Sequence, residues 1–144
     1  MEIVQNLQWP DLPTALPAEP RPLQVLVVED DEADAYLIER ALARHPRIER
    51  LVRAVDGVAA LDALARGFKP DFAIIDLQMP RKNGFSLLVE LGCLDRAFPC
   101  IVLTSSTART DWVRSKLRGA GDVLTKPDNV EALRELLDEA LGAV

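Results

Sequence analysis

The stretch "LQVLVVEDDEAD", residues 23 to 34, joins a run of apolar and β-branched residues to a cluster of acids. Leu23 and Val25 to Val28, interrupted only by Gln24, read as a strand covered on both faces. Glu29, Asp30 and Asp31 follow without a break, and Asp34 comes three positions later. Three adjacent carboxylates repel one another, so a simple turn would use Asn, Ser or Gly instead. The acids imply that something positive is held at the end of a core strand.

Outward from this stretch the pattern alternates. "ADAYLIERALARH" carries Leu37, Ile38, Ala41 and Leu42 at helical spacing, and "RIERLVRAV" reads as a weaker strand at an edge. "DGVAALDALARG" predicts a helix opened by Asp56 and closed by Gly67. "DFAIID", "PCIVLTSS" and "GDVLTKP" read as the third, fourth and fifth strands. "GFSLLVELGC", "ARTDWVRSKLRGA" and "NVEALRELLDEAL" read as the intervening and final helices. Alternating strands and helices joined by short loops predict an α/β fold, a doubly wound parallel sheet of (βα)5 type with helices on both faces.

The bulk properties are those of one globular domain: 144 residues, 49% hydrophobic and 28% charged. No apolar run approaches the roughly 20 residues of a membrane helix, and the N-terminus lacks the pattern of a secretory signal. A net charge of −6 argues against nucleic acid as the main partner. Cys93 and Cys100 are too few for a disulfide framework and read as reduced structural thiols of a cytoplasmic protein. Residues 1 to 22 stand apart, with Pro10, Pro13, Pro17, Pro20 and Pro22 excluding helix or central strand. The expected domains are this Pro-rich arm (1–22) and a body spanning 23–144. The arm is read as a leader without fixed structure or, alternatively, as a segment that docks through Trp9, Leu12 and Leu16.

In open parallel sheets, ligands bind beyond the carboxyl ends of the strands, where strand order reverses. The flavodoxin-like order 2-1-3-4-5 would set the first and third strands side by side, so that Glu29, Asp30 and Asp76 converge. Carboxylates sharing a small volume either raise one another's pKa or bind a cation. Oxygen-only donors select a hard ion, Mg²⁺ or Mn²⁺. Mg²⁺ is usually shared with phosphate oxygens, which points to a phosphoryl group carried on Asp76 as a carboxylate nucleophile. Lys126 would offset phosphate charge and the Thr104 hydroxyl would hydrogen-bond it.

"VLVVEDDEAD", "AIIDLQMPRKNG", "IVLTSS" and "VLTKP" together resemble the receiver domain of bacterial two-component response regulators, over residues 23 to 142. The resemblance implies that Asp76 accepts a phosphoryl group from a sensor histidine kinase. Asp30, Glu29, Asp76 and the backbone carbonyl of Gln78 would hold the cation. Thr104 would be the switch hydroxyl and Lys126 the phosphate-contacting lysine, with Pro127 following a cis bond. Gln78 and Ser106 stand where the family tunes phosphate lifetime. Val123 stands where the family usually has a switch aromatic, and a valine has no ring to relocate. Asp31 and Asp34 fall outside the motif and read as helix N-terminal charges. The wording of "EDDEADAYLIERAL" and "DLQMPRKNG" is most similar to stand-alone receivers paired with bacterial phytochrome kinases.

Four side chains are candidate interface residues: Trp9 on the arm, Tyr36 (core or docking surface), Trp112 (packed on the body or exposed) and Leu136, off the Val130, Leu133, Leu137 stripe. His45 reads as a charge at a helix C-terminus rather than a phosphodonor. With no output domain after the last helix, the expected output is contact with another protein or onward phosphotransfer, with a homodimer expected. Two other functions compete. A phosphorylation-independent scaffold predicts loss of site residues, and none is lost. An aspartyl-phosphate hydrolase needs an acid two residues after the nucleophile, where Gln78 stands.

Overall fold

A computed structural model describes residues 21–79, 83–93 and 98–142, the side chain of Cys93 excepted. Trp9 and most of the arm lie outside the described residues. The chain alternates β1 (Leu23–Val28), α1 (Glu32–Ala43), β2 (Ile48–Ala54), α2 (Gly57–Ala65) and β3 (Phe72–Ile75). It continues through α3 (Gly84–Cys93), β4 (Cys100–Thr104), α4 (Arg109–Leu117), β5 (Asp122–Thr125) and α5 (Val130–Leu141). All strand pairs are parallel, and the sheet order is β2-β1-β3-β4-β5, as the sequence predicts.

The side-chain period of two divides the core between the faces of the sheet. Val25, Val27, Ile74, Ile101 and Leu103 turn towards Ile38, Ala41 and Leu42 of α1 and Leu133, Leu137 and Leu141 of α5. Leu26, Val28, Ala73, Ile75 and Val102 turn the other way, onto Ala60 of α2 and Leu87, Leu88 and Leu91 of α3. Each fully buried side chain of this size contributes about 1.5–3 kcal/mol by leaving water. Burial on both faces explains why β3 and all of β1 but Gln24 read as apolar runs.

Local chemistry sets the helix ends. Asp31, Asp56 and Asn129 cap α1, α2 and α5, their side chains accepting from the backbone N–H groups of Asp34, Ala59 and Ala132. Gly67 closes the turn after α2 at φ +104°, where a Cβ is disfavoured. Below the sheet, Arg21 pairs with Asp71, which also accepts from the backbone N–H of Gln24. The β1–β2 register shifts between Leu23, opposite Ile48, and Gln24, opposite Arg50. Glu49 is the residue skipped.

Cys100 is buried in the core beside β3. Among the described residues no helix is long and apolar enough to cross a membrane.

Candidate functional site

The topology sets β1 between β2 and β3, so the residues leaving β1 and β3 emerge together. Asp76 follows Ile75 directly, and its backbone N–H donates to the Val28 carbonyl at 3.0 Å, which ties the two strand ends. One carboxylate oxygen each from Glu29, Asp30 and Asp76 falls within 4.8 Å of the others. Glu29 and Asp76 are buried, at 1% and 7% exposure, and Asp30 is the least covered. All donors are oxygen, and no imidazole or thiolate joins the group, which suits a hard divalent ion.

Lys126 leaves the end of β5 and reaches across to these acids. Its Nζ lies 2.8 Å from Glu29 Oε1, 2.8 Å from Asp34 Oδ2 and 3.5 Å from Asp76 Oδ1. Its backbone N–H donates to the Thr104 carbonyl at 2.7 Å, so the lysine and the β4 hydroxyl residue are registered together. Thr104 is buried, and its Oγ1 accepts from the Ser106 N–H at 3.1 Å. Ser106 in turn donates to Asp111 Oδ2 at 2.7 Å, linking the loop to the first turn of α4.

Burial and charge act against each other here. Loss of water pushes the Glu29 carboxyl up to about 7, with the Asp76 charge adding to the rise and the Lys126 hydrogen bond opposing it. Burial also raises Asp76, against the Lys126 charge and a hydrogen bond from the Gln78 backbone N–H. Burial alone would lower the Lys126 ammonium, but the Asp34 and Glu29 hydrogen bonds and the Asp76 charge outweigh it and raise it. The acids are thus crowded enough that a cation among them relieves a real cost.

Three further residues, Arg53, Asp34 and Gly84, build the site in ways that the sequence reading did not assign. Arg53, near the end of β2, donates from Nε and Nη2 to the Glu29 carbonyl at 3.1 and 2.9 Å, and from Nη2 to the Asp30 carbonyl at 3.4 Å. Its Nη1 reaches Glu32 Oε1 at 2.8 Å. The guanidinium fork therefore clamps the backbone of the acid turn. Asp34 was read as a helix-end charge, yet it binds Lys126 directly. Its place in the first turn of α1, just past the strand-end acids, was the available signal. Gly84 opens α3 against the acceptor segment: a Cβ there would lie 2.8 Å from Leu77 Cα and closer still to the Asp76 carbonyl oxygen.

One expectation is corrected. The bond before Pro127 is trans, as are all described peptide bonds. Trans is the lower-energy isomer by about 0.5–1 kcal/mol, and Lys126 is aimed by its carboxylate partners and the Thr104 carbonyl. Among the interface candidates, Tyr36 is exposed rather than core, with Arg40 donating to its hydroxyl at 3.2 Å. Trp112 is also exposed, beside Lys116. Leu136 is half-buried and lines a cleft of about 390 Å³ with Pro99, Leu124 and Ala140. Val123 pairs with Val102 and is partly buried against the core on that face of the sheet. His45 lies just past α1, its Nε2 3.7 Å from Asp138.

A doubly wound five-stranded sheet with acids at the β1 and β3 ends and a lysine at the β5 end defines a receiver-type signalling domain. The response regulator receiver domain model matches residues 25–138, and the chain belongs to that family. PilH of Pseudomonas aeruginosa is 34% identical over 122 residues, covering 83% of this chain and 98% of PilH. A protein-glutamate methylesterase/protein-glutamine glutaminase of Anaeromyxobacter dehalogenans is 36% identical over 115 residues, covering 80% of this chain. The chain spans only 33% of that relative's length. Among solved structures, the phosphorylated cyanobacterial phytochrome response regulator RcpA superposes with TM-score 0.74 at 29% identity, covering 83% of this chain and 91% of RcpA. The Mn²⁺-bound form of response regulator Rcp1 gives TM-score 0.71 at 29% identity, covering 82% and 91%.

Proposed function

We propose that this chain is a phosphoacceptor switch in which Asp76 takes a phosphoryl group from a phosphohistidine of a sensor histidine kinase. The observation that carries the reading is the meeting of the Glu29, Asp30 and Asp76 oxygens within 4.8 Å, with the Lys126 ammonium 3.5 Å from Asp76. An Asp76 carboxylate oxygen attacks phosphorus, the phosphorus–nitrogen bond breaks, and the imidazole leaves with its electron pair and takes up a proton. Bound at Glu29, Asp30, Asp76 and the Gln78 carbonyl, Mg²⁺ or Mn²⁺ would supply neutralisation of the phosphoryl oxygens. Lys126 screens the same oxygens from the β5 side, and the Thr104 hydroxyl, whose oxygen accepts from the Ser106 N–H, donates its own O–H to one of them. Pre-placed groups of this kind do most of the work in phosphoryl transfer.

The likeness to the phytochrome response regulator RcpA supports a phytochrome kinase as the donor, and the reading places the exchange in the cytoplasm. The added charge would bias the surface of α4, β5 and α5 towards a protein partner or onward phosphotransfer. Self-association through the arm and the exposed Trp112 is part of the same reading. A scaffold that needs no phosphate is disfavoured by the intact acid set. A hydrolase is disfavoured by Gln78, which offers no acid to a leaving group.

Acetyl phosphate with Mg²⁺ should label the protein to one phosphoryl group per chain, and Asp76→Asn should abolish labelling. Stoichiometric labelling of the Asn variant would overturn the assignment. Light-dependent transfer from a phytochrome kinase, but not from an unrelated histidine kinase, tests the donor.

A further inference from the structure

We propose that Asp34 is a positioning residue for Lys126, holding the ammonium aside so that Glu29 is released to a divalent cation. This rests on the cation reading of Glu29, Asp30 and Asp76.

Lys126 Nζ sits at 2.8 Å from two carboxylates of different standing. Glu29 belongs to the acid cluster, whereas Asp34 does not. One carboxylate cannot serve an ammonium and a divalent cation at full strength, because the two positive charges repel across it. The lysine must therefore yield at Glu29 when the cation arrives. Its side chain is only 15% exposed, so an ammonium left without a partner would carry a large desolvation cost. Asp34 removes that cost, already in contact and outside the cluster.

The turn bearing Asp34 is fixed from two sides. Asp31 Oδ1 accepts from the Asp34 N–H at 2.9 Å, and Arg53 grips Glu32 at 2.8 Å. The Asp34 side chain is 38% exposed and that of Glu29 is 1% exposed, so the lysine is shared between an outer and an inner acid. Moving from shared to outer-only needs no change in the fold.

A double-mutant cycle with Mn²⁺ as the probe tests this, counting free Mn²⁺ by electron paramagnetic resonance in the full chain. Asp34→Asn should weaken Mn²⁺ binding by about tenfold in the wild-type background and by less than about twofold in Lys126→Met. Asp34→Glu, which keeps the charge, should bind within about threefold of wild type. Equal weakening in both backgrounds would mean that Asp34 acts only as a nearby negative charge, and no weakening in either would mean that it does nothing for the cation. Both results overturn the inference. Wild-type protein that binds no Mn²⁺ would instead overturn the cation reading on which it rests. Urea midpoints of the variants separate loss of folding from loss of binding.

Discussion

The Lys126 ammonium touches the Glu29 carboxylate at 2.8 Å, across 97 residues of sequence and the full width from β5 to β1. Lysine and cation therefore compete for one oxygen donor. A hydrogen bond to a charged group contributes about 1.5–3 kcal/mol, so Lys126→Ala should tighten Mg²⁺ binding by about tenfold or more. Isothermal titration of the variant with MgCl₂ checks this; weaker binding would mean that the lysine assists the ion.

The crowded acids give stability a pH signature. Glu29 has its pKa raised from 4.5 to about 7 in the folded chain. Between those values the folded state holds a proton that the unfolded state has lost, so with EDTA present stability should fall as pH rises from 4.5 to about 7. Asp76, also raised, adds in the same direction. Saturating Mg²⁺ should reverse the trend, because the ion binds the ionised form and displaces the proton. Urea unfolding at pH 5, 6, 7 and 8, with EDTA or with Mg²⁺, measures both slopes.

Gly84→Ala places a methyl group against the Asp76 carbonyl and Leu77 Cα. Backbone cannot swing aside like a flexible side chain. The substitution should cost about 1–3 kcal/mol, read as a lower urea midpoint, and should slow acetyl phosphate labelling by displacing Asp76.

Arg53→Ala removes the donors that hold the Glu29 and Asp30 carbonyls. With the turn loosened, Mg²⁺ affinity should fall by roughly three- to tenfold although no ligand is changed, since each lost charged hydrogen bond is worth about 1.5–3 kcal/mol and water recovers much of it. Arg53→Lys should not restore it, because an ammonium cannot reproduce the planar fork.

For the arm, deletion of residues 1–20 should weaken self-association. Sedimentation velocity of the truncated and full chains, with and without acetyl phosphate, reads the change; identical profiles would return the arm to a passive leader.

Much of this architecture could be read from the residues. The strand–helix alternation and the opening of α2 at Asp56 are local signals, and the apolar runs of β1 and β3 reflect burial on both faces. The acid cluster was legible because topology alone brings strand ends 1 and 3 together. What escaped was side-chain direction. Asp34 and Arg53 reach the site from a helix turn and an edge strand. Nothing in the immediate neighbours of Arg53 distinguishes it from a solvated charge, and the one signal for Asp34 is its place just past the strand-end acids. The trans bond at Pro127 was missed for a related reason: the aim of Lys126 comes from partners distant in sequence.

The skipped residue at Glu49 has a reach beyond its own turn. It fixes Arg53 opposite Val27, on the α1 side of the sheet. Because successive strand residues face opposite ways, removing one residue past that irregularity, between Arg50 and Arg53, would set Arg53 opposite Leu26 and swing the guanidinium to the α2 side. A single-residue deletion in an edge strand would thus unfasten the Glu29–Asp30 turn without altering any acid.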